Sequence, residues 1–312
     1  MARITSSPVA IPGTSRTEVS GHSVLLNLII SLRPGQWTKN LLVFAGILFG
    51  RRLLEPAAVA AAASAFVIFC GLSGAVYLVN DVVDRSVDRQ HPSKARRPIA
   101  SGALPVPVAL GAALVLGSIA LAGAFVLGWR FGLTASLYLG LQALYSGPLK
   151  HIVIIDVLTI AMGFVLRAVA GAVAVDVEIS HWLLMCTILL ALFIALAKRR
   201  HELVLLASGA PIHRPILGEY SPYLLDQMIA VVTASTLVAY IFYTISPETQ
   251  EKFGTGWLGL TVPFPIYGIF RYLYLVHQRE GGGSPADLLL TDRPLLACVA
   301  LWALTVALVI YR

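Results

Sequence analysis

Residues 57–88 read AAVAAAASAFVIFCGLSGAVYLVNDVVDRSVD, an apolar run that ends in a cluster of aspartates. A helix of about 20 apolar residues crosses roughly 30 Å of hydrocarbon, so this run is long enough to span a bilayer. Similar runs recur along the 312 residues, of which 57% are hydrophobic and only 12% are charged. Soluble domains carry about twice that charged fraction, and the alternating polarity of barrel strands is absent. The sequence therefore predicts an all-α integral membrane protein.

Nine segments are predicted to span the membrane as helices. They are residues 38–50 (with an amphipathic lead-in that starts near residue 24), 57–80, 104–128, 131–147, 152–174, 181–199, 222–245, 257–276 and 293–311. Residues 1–22 are polar and rich in Ser, Thr and Pro, which is typical of a disordered tail. The polar segments between the spans serve as linkers, so residues 23–312 are expected to form one nine-helix transmembrane domain.

The positive charges are shared unevenly between the two sides of this predicted bundle. One side has only Arg51, Arg52, Arg130, Lys252 and Arg312. The N-terminal tail and the loops on the other side hold most of the remaining Lys and Arg, so the positive-inside rule places that side in the cytoplasm. The net charge of +7 therefore gathers on one face, where it favours anionic membrane lipid. Nucleic acid is not an expected partner, because the cations lie in short loops at the ends of spans.

The aspartates that follow the second span form an acidic motif, residues 80–88. Asn80, Asp84 and Asp88 are spaced i, i+4, i+8, and Asp81 precedes Asp84 by three, so a continuous helix would place all four on one face. Crowded carboxylates repel one another unless a cation lies between them. Because Mg²⁺ binds one or two carboxylates together with substrate phosphates, Asp81, Asp84 and Asp88 are predicted metal ligands. The alternative is a solvated helix end in which neighbouring arginines pair with the aspartates.

A basic loop, HPSKARRP (91–98), follows the acidic motif. Lys94, Arg96 and Arg97 are suited to capture phosphate through charge-assisted hydrogen bonds, and Arg85 lies between the aspartates. Cations at this position are as typical of topology determinants as of phosphate ligands, so both interpretations stay open.

Other ionisable residues lie at or inside the predicted spans. Lys39 and Asn40 begin the first span, where they either reach back to the surface or line a cavity. Asp156 and Arg167 lie in the fifth span, on one face but about 16 Å apart, which is too far for them to pair. Because ionisable groups in a membrane are costly, each is expected to meet another helix or a ligand.

Two further motifs lie on the same side as the acidic motif. YSGPLK (145–150) contains Tyr145 and Lys150 at a turn, and KRRHEL (198–203) ends the sixth span. The second motif supplies Lys198, Arg199 and Glu202. It is either a plain positive-inside stop or a second charged cluster near the first.

The nine-span plan, NDxxDxxxD at 80–88 and YSGPLK at 145–150 resemble the UbiA superfamily of intramembrane prenyltransferases. The resemblance runs over most of the chain after residue 30. It implies a UbiA-like bundle with a cytoplasmic-side cavity that is open to lipid and surrounded by two charged clusters. It also implies that Asn80 and the three aspartates hold Mg²⁺ and a diphosphate, and that Lys150 is aimed at phosphate.

The KRRHEL motif departs from the usual family pattern, since most members have a second DxxxD motif after the sixth span. One branch, the decaprenyl-phosphate phosphoribosyltransferases, resembles this chain there. It shares RPxQWxKN (33–40), AVYLVNDVxDxxxDRxHPxKxxRPIAxG (75–102), LKH (149–151), LRAxAG (166–171) and KRxxEL (198–203). This resemblance implies phosphoribosyl diphosphate as donor, a polyprenyl (decaprenyl) phosphate as acceptor, and a product used for cell-wall arabinan precursors.

The residue types suit two phosphorylated substrates. Mg²⁺ would offset charge on the diphosphate, and a phosphate monoester is already a nucleophile, so cations that reduce repulsion matter more than a base. The predicted catalytic residues are Asp81, Asp84, Asp156 and Lys198. The predicted substrate-binding residues are Lys39, Asn40, Asn80, Arg85, Lys94, Arg96, Arg97, Tyr145, Lys150, Arg167, Arg199 and Glu202. For Asp156, the roles of second metal ligand, ribose-hydroxyl acceptor and orienter of Lys150 stay open.

Two other functions remain as alternatives. The first is an ordinary prenyltransferase that joins a prenyl diphosphate to an aromatic acceptor. The second is a transporter or channel for an anionic solute, which also uses buried charge but gives no reason for clustered carboxylates at one membrane face. The family resemblance also allows a homo-oligomer.

Overall fold

A computed structural model describes residues 23–91, 94–206, 215–279 and 285–312, which contain helices and loops but no strand. The predicted N-terminal tail, residues 1–22, lies outside the described residues. The α-helices are α1 (Val24–Ser31), α2 (Ala45–Phe49), α3 (Pro56–Val83), α4 (Arg85–Asp88), α5 (Pro98–Ser101), α6 (Val106–Leu127), α7 (Trp129–Ser146), α8 (Ile155–Ala174), α9 (His181–Leu206), α10 (Pro222–Ile245), α11 (Pro247–Phe253), α12 (Pro263–Gln278), α13 (Pro285–Thr291) and α14 (Arg293–Tyr311). Short 3-10 helices cover Pro34–Phe44, Lys94–Arg96, Leu149–His151, Pro215–Glu219 and Trp257–Thr261.

Six helices within the described ranges are long and apolar enough to cross a bilayer: α3, α6, α8, α9, α10 and α14. The chain is therefore a multi-pass membrane protein, as its composition predicts. The prediction of nine spans is not confirmed. The first predicted span is a 3-10 helix followed by the five-residue α2, and the eighth is divided between a 3-10 helix and the 16-residue α12. Helix α7, with Arg130 and Gln142 among its 18 residues, lacks the apolar content of a typical span.

Helices that are consecutive in the chain mostly pack side by side. Helix α3 packs on α6, α6 on α7, α7 on α8, α8 on α9 and α9 on α10, while α12 packs on α14. Helix α8 also contacts α2, α3 and the 3-10 helix Pro34–Phe44, so it lies at the centre of the described structure. One apolar core forms between α3, α6, α7 and α8, and a second forms between α8, α9, α10 and α12. The candidate site lies where these helices end.

Two glycines allow the segment before α3 to touch α8 backbone to backbone. A Cβ atom on Gly171 would lie 1.9 Å from the carbonyl oxygen of Val43, and one on Gly46 would lie 2.6 Å from the amide nitrogen of Ala172. Small residues at such crossings allow close helix packing within membranes. The glycine of the LRAxAG stretch is therefore explained by packing.

Gly171→Ala is expected to destabilise the protein by about 3 kcal/mol, because backbone must move to admit the new methyl group. The measurement is the apparent melting temperature of the purified protein in detergent. Gly140→Ala is the matched control, since a Cβ there meets nothing within 4 Å and alanine favours a helix. Equal melting temperatures for the two variants would contradict the close approach.

Candidate active site

The acidic motif does not form a single continuous helix. Helix α3 ends at Val83, and Asp84 separates it from α4, although the amides of Asp84 and Asp88 still donate to carbonyls four residues earlier, both at 2.8 Å. Contrary to the expectation of one shared face, the motif divides into two pairs. Asp81 and Asp88 are buried, whereas the side chain of Asp84 is 42% exposed and joins Asn80 on the side nearest α7.

Arginines hold the buried pair. Arg97 Nη1 donates to Asp81 Oδ1 at 3.1 Å and to Asp88 Oδ2 at 2.6 Å, so one guanidinium bridges two carboxylates. Arg33 also donates to Asp81 and lies over the ring of Tyr77, 5.0 Å from its centroid. Burial is the largest influence on Arg33 and lowers the pKa of its guanidinium, against the opposing effect of Asp81. The aspartates are thus paired by arginines from neighbouring segments.

The two arginines next to the aspartates in sequence have other partners. Arg85 Nε donates to the carbonyl of Ile99 at 3.2 Å, and Arg89 Nε donates to that of Ala100 at 2.9 Å. Both side chains therefore brace α5. For Arg85, a predicted substrate-binding residue, the geometry favours this bracing role.

The YSGPLK motif, which begins with the last two residues of α7, meets the exposed pair. Lys150 Nζ lies 3.0 Å from Asp84 Oδ1, and the Ser146 hydroxyl donates to Asn80. These contacts join residues that are 66 positions apart in the sequence. The structure therefore brings together two motifs that the sequence analysis identified separately.

The KRRHEL motif forms a second charged cluster around a buried arginine. Arg199 is 1% exposed and donates to Asp156 at 2.8 Å, to Glu202 at 2.9 Å and to the Tyr145 hydroxyl at 3.2 Å. Lys198 is more accessible, with its Nζ 3.8 Å from Glu202. Lys39, a predicted substrate-binding residue, lies close enough to repel the Lys198 charge. Asp156 thus meets another helix, as expected, and Arg199 is engaged inside the protein.

Tyr145 and Ser146 are adjacent but contact opposite clusters. Tyr145 accepts from Arg199, and Ser146 donates to Asn80. The last two residues of α7 therefore contact the basic cluster and the acidic motif, respectively. No local sequence pattern indicates this arrangement, because it depends on how α3, α7 and α9 pack.

Tyr220 is a site residue that the sequence analysis did not identify. It is 5% exposed; its oxygen accepts from the Ile154 amide at 2.7 Å, and its hydroxyl donates to Asp156 at 2.8 Å. Burial raises the pKa of the phenol to about 12, so the hydroxyl keeps its proton near neutral pH. Ile154 itself has φ 68°, an uncommon backbone conformation for a β-branched residue.

Arg167 and Asn40 lie together in the protein interior. Arg167 donates to Asn40 at 2.8 Å, to the Gly163 carbonyl at 2.9 Å and to the Tyr138 hydroxyl at 2.8 Å, while Asn40 donates to Ser73 at 3.2 Å. Arg167 is 5% exposed and Asn40 is fully buried. Both were predicted to bind substrate; the contacts favour a network that ties α3, α7 and α8 to the Pro34–Phe44 segment.

A cavity of about 300 Å³ borders Asp81, one of the two buried aspartates. It is lined by Ile30, Ser31, Arg33, Asp81, Arg96, Arg97 and Pro98. Lys94 lies near this region on the Lys94–Arg96 3-10 helix and is half-buried. With three guanidinium groups in its lining, the cavity is suited to an anionic group.

The donor set fits Mg²⁺ that is shared with a substrate. Asp81 and Asp88 both contact one guanidinium of Arg97, so a single cation could reach both carboxylates. Within the described part of the chain, no group of three or more Asp, Glu, His or Cys side chains could hold a metal alone. Mg²⁺ commonly takes one or two carboxylates and completes its shell with water or phosphate oxygens. Asp81 and Asp88, two carboxylates without a third, match this mode of Mg²⁺ binding.

The chain is similar in sequence to known proteins over most of its length. The chain is 34% identical over 295 residues to the decaprenyl-phosphate phosphoribosyltransferase of Corynebacterium glutamicum, covering 91% of this chain and 86% of that protein. It is 34% identical over 292 residues to the enzyme of the same name from Mycobacterium tuberculosis, covering 91% and 94%.

The fold is similar to that of a solved structure. A UbiA homologue from Archaeoglobus fulgidus, bound to GPP and Mg²⁺, matches with a TM-score of 0.71 at 20% identity, over 93% of this chain and 100% of that one. The model of the UbiA prenyltransferase family matches residues 40–287. The chain, with its acidic motif and YSGPLK turn brought together at the ends of packed membrane helices, belongs to the UbiA prenyltransferase family.

Proposed function

We propose that this protein transfers the 5-phosphoribosyl group from phosphoribosyl diphosphate to a polyprenyl phosphate, with decaprenyl phosphate the expected acceptor. The products are a polyprenylphosphoryl-5-phosphoribose and diphosphate. The observation that carries the proposal is the pairing of one acidic motif with a basic second cluster across the end of α7. Relatives that are 34% identical over most of the chain carry the name of that activity.

Charge balance supports two anionic substrates. Cations outnumber carboxylates around the two clusters, since Asp81, Asp84, Asp88, Asp156 and Glu202 stand against Arg33, Lys39, Arg96, Arg97, Lys150, Lys198 and Arg199. An aromatic acceptor would need no such excess opposite a prenyl diphosphate. A phosphate monoester beside a diphosphate does need it, because both groups are negatively charged near neutral pH.

In this proposal the two clusters bind different substrates. The residues that would hold Mg²⁺ are Asp81 and Asp88, while Asp84 lies on the side nearest α7, where it pairs with Lys150. When bound, the ion would offset the negative charge that grows on the diphosphate as the C1–O bond breaks. Arg96 and Arg97 line the adjoining cavity, where they would bind a further phosphate group of the donor.

The acceptor is placed at the basic cluster. Lys198 and Lys150 would lower the repulsion between the acceptor phosphate and the donor, while the isoprenoid chain stays in lipid. A phosphate oxygen of the acceptor then bonds to C1 of the ribose as diphosphate leaves, so atoms and charge balance without a protein base. A single inversion at C1 gives a β-linked product from an α-linked donor.

The site is proposed to face the cytoplasm of a bacterial plasma membrane, together with the N-terminus. The distribution of Lys and Arg between loops supports this orientation. It also agrees with the substrates, since phosphoribosyl diphosphate is a soluble anion that does not cross lipid.

The test of the proposed function is an assay with purified protein, Mg²⁺ and labelled donors offered separately. We expect label from phosphoribosyl diphosphate to enter the organic phase only when polyprenyl phosphate is present. We expect a chelator to abolish this transfer and added Mg²⁺ to restore it. Full activity in chelator, or transfer from a prenyl diphosphate alone, would contradict the proposal.

The second candidate is transfer of a prenyl group to an aromatic acceptor. It is favoured by the fold match to UbiA homologues from Archaeoglobus fulgidus bound to GPP and to DMAPP. Those matches are only 20% and 21% identical, so they show a shared fold but do not identify the donor substrate of this chain. The separate donors in the assay distinguish this candidate from the first.

In that assay, Asp84→Asn is expected to lower phosphoribosyl transfer at least tenfold, because the variant removes the exposed carboxylate beside Lys150. Glu248→Gln changes an acidic residue on α11, which does not line the cavity, and should leave the rate unchanged. A wild-type rate for Asp84→Asn would show that this carboxylate takes no part in the reaction.

A further inference from the structure

Tyr220 connects the segment after α9 to the start of α8. It follows the Pro215–Glu219 3-10 helix and precedes α10, and it is 5% exposed. One oxygen atom accepts the Ile154 N–H at 2.7 Å and donates to Asp156 Oδ1 at 2.8 Å. A tyrosine that only fills space would not need both contacts.

The backbone that Tyr220 holds is strained. Ile154 has φ 68° and ψ −42°, a conformation that a β-branched residue adopts only when its surroundings impose it. No side chain caps the start of α8 at this residue. Asp156 lies two residues further on, so the position of its carboxylate depends on this turn.

Asp156 begins a chain of charged contacts that ends at an accessible amine. Its second oxygen accepts from Arg199 at 2.8 Å, and Arg199 donates to Glu202 Oε2 at 2.9 Å. Glu202 Oε1 lies 3.8 Å from Lys198 Nζ. The side chains become more exposed along this chain, from 0% at Asp156 and 1% at Arg199 to 22% at Glu202 and 39% at Lys198.

We propose that Tyr220 is a positioning residue that fixes Lys198 through Asp156, Arg199 and Glu202. The inference rests on the proposed function, in which Lys198 is the cation beside the acceptor phosphate. Tyr220 touches no substrate in this scheme. Its two hydrogen bonds hold the buried end of the charged chain, so the exposed end presents the Lys198 amine in one place.

The protein contains a matched control for the hydroxyl group. Tyr272 belongs to the same apolar core as Tyr220 and is 6% exposed, against 5% for Tyr220. Its buried hydroxyl has no hydrogen-bond partner among the described residues. Tyr→Phe at the two positions therefore removes the same atom from similar surroundings, with and without the contacts.

The first experiment compares Tyr220→Phe and Tyr272→Phe in the transfer assay. We expect Tyr220→Phe to lower kcat/KM for polyprenyl phosphate about tenfold, the size of one or two lost hydrogen bonds, while KM for phosphoribosyl diphosphate stays constant. Tyr272→Phe should change neither value more than about twofold. Equal behaviour of the two variants, or equal losses for both substrates, would overturn the proposal.

A second variant covers the case in which Tyr220→Phe folds poorly. Glu202→Gln breaks the charged chain near its exposed end and leaves the buried part intact. It should give the same acceptor-specific loss, and Tyr220→Phe/Glu202→Gln should lose no more than the larger single loss. Additive losses would show that Tyr220 does not act through Glu202.

A readout without substrates separates this inference from the proposed function. Acetic anhydride labels free amines, and the Glu202 carboxylate 3.8 Å away favours the protonated form of the Lys198 amine, which does not react. We expect Tyr220→Phe to raise the labelling rate of Lys198 several-fold relative to Lys252, as measured by mass spectrometry, and Tyr272→Phe to leave it unchanged. Unchanged labelling would overturn the positioning role. Increased labelling in a protein that transfers no phosphoribosyl group would overturn the proposed function alone.

Discussion

Asp81→Asn is expected to lower phosphoribosyl transfer about 10³-fold, the upper range for removal of one preorganised electrostatic group from an active site. Asp81 is 3% exposed and contacts Arg33 and Arg97, and it lines the cavity that Arg96 borders. The asparagine keeps the size of the side chain but loses the charge that would hold Mg²⁺. The two arginines also lose the partner that orients them.

The measurement for Asp81→Asn is the rate of label transfer over a range of Mg²⁺ concentrations. If Asp81 is a metal ligand, the variant should need a higher Mg²⁺ concentration than the wild type to reach half of its own maximal rate. Asp226→Asn is the control: Asp226 pairs with Arg200 and His277 outside the cavity, so the variant should keep the wild-type rate. A rate for Asp81→Asn within threefold of wild type would contradict the assignment.

Arg199→Leu is expected to destabilise the protein by about 3–5 kcal/mol. The side chains of Arg199 and Asp156 are 1% and 0% exposed, so loss of the guanidinium leaves a buried carboxylate without its cation. The measurement is the apparent melting temperature in detergent. Arg199→Leu/Asp156→Leu should recover much of the loss, because removing both charges avoids the unpaired one.

Arg200→Leu, at the next position, is the matched control. Arg200 and Asp226 form a pair whose side chains are 18% and 38% exposed. Such partly exposed pairs contribute about 0–1 kcal/mol, so this variant should melt close to wild type. Similar melting temperatures for Arg199→Leu and Arg200→Leu would show that the buried pair is not essential to the fold.

Sequence patterns predicted which motifs carry the charge, and the structure brings two of those motifs into contact. Asn80 and Asp84 meet Ser146 and Lys150, as expected if the loops that hold them lie on one side of the bundle. The placement of Asp156 away from Arg167 also followed from helix geometry, because a helix rises about 1.5 Å per residue. Both inferences depend only on spacing along the chain.

The partners of these residues could not be predicted in the same way. Arg33 contacts Asp81 across 48 positions, and Tyr220 contacts Asp156 across 64. Arg33 was visible only as part of RPxQWxKN, and Tyr220 lies in an ordinary polar linker. Their contacts depend on how distant segments pack together, which a local sequence pattern does not indicate.

The number of spans shows a related limit. Hydropathy detects apolar content but not backbone conformation, so the 3-10 helix Pro34–Phe44 reads as the start of a span. Its close contact with α8 depends on Gly46 and Gly171, where a Cβ would overlap the opposing backbone. Long apolar helices such as α3 and α6, by contrast, match their predicted ranges within a few residues.

The central claim is that the acidic motif holds the metal-bound donor while the basic cluster faces the acceptor. The most direct measurement is an experimental structure of the protein with phosphoribosyl diphosphate and Mn²⁺, which replaces Mg²⁺ and gives an anomalous signal. The account predicts the metal peak beside Asp81 and Asp88, shared with diphosphate oxygens, and Lys198 left free of the donor. A diphosphate bound at Lys198 and Glu202, with no metal at the aspartates, would contradict it.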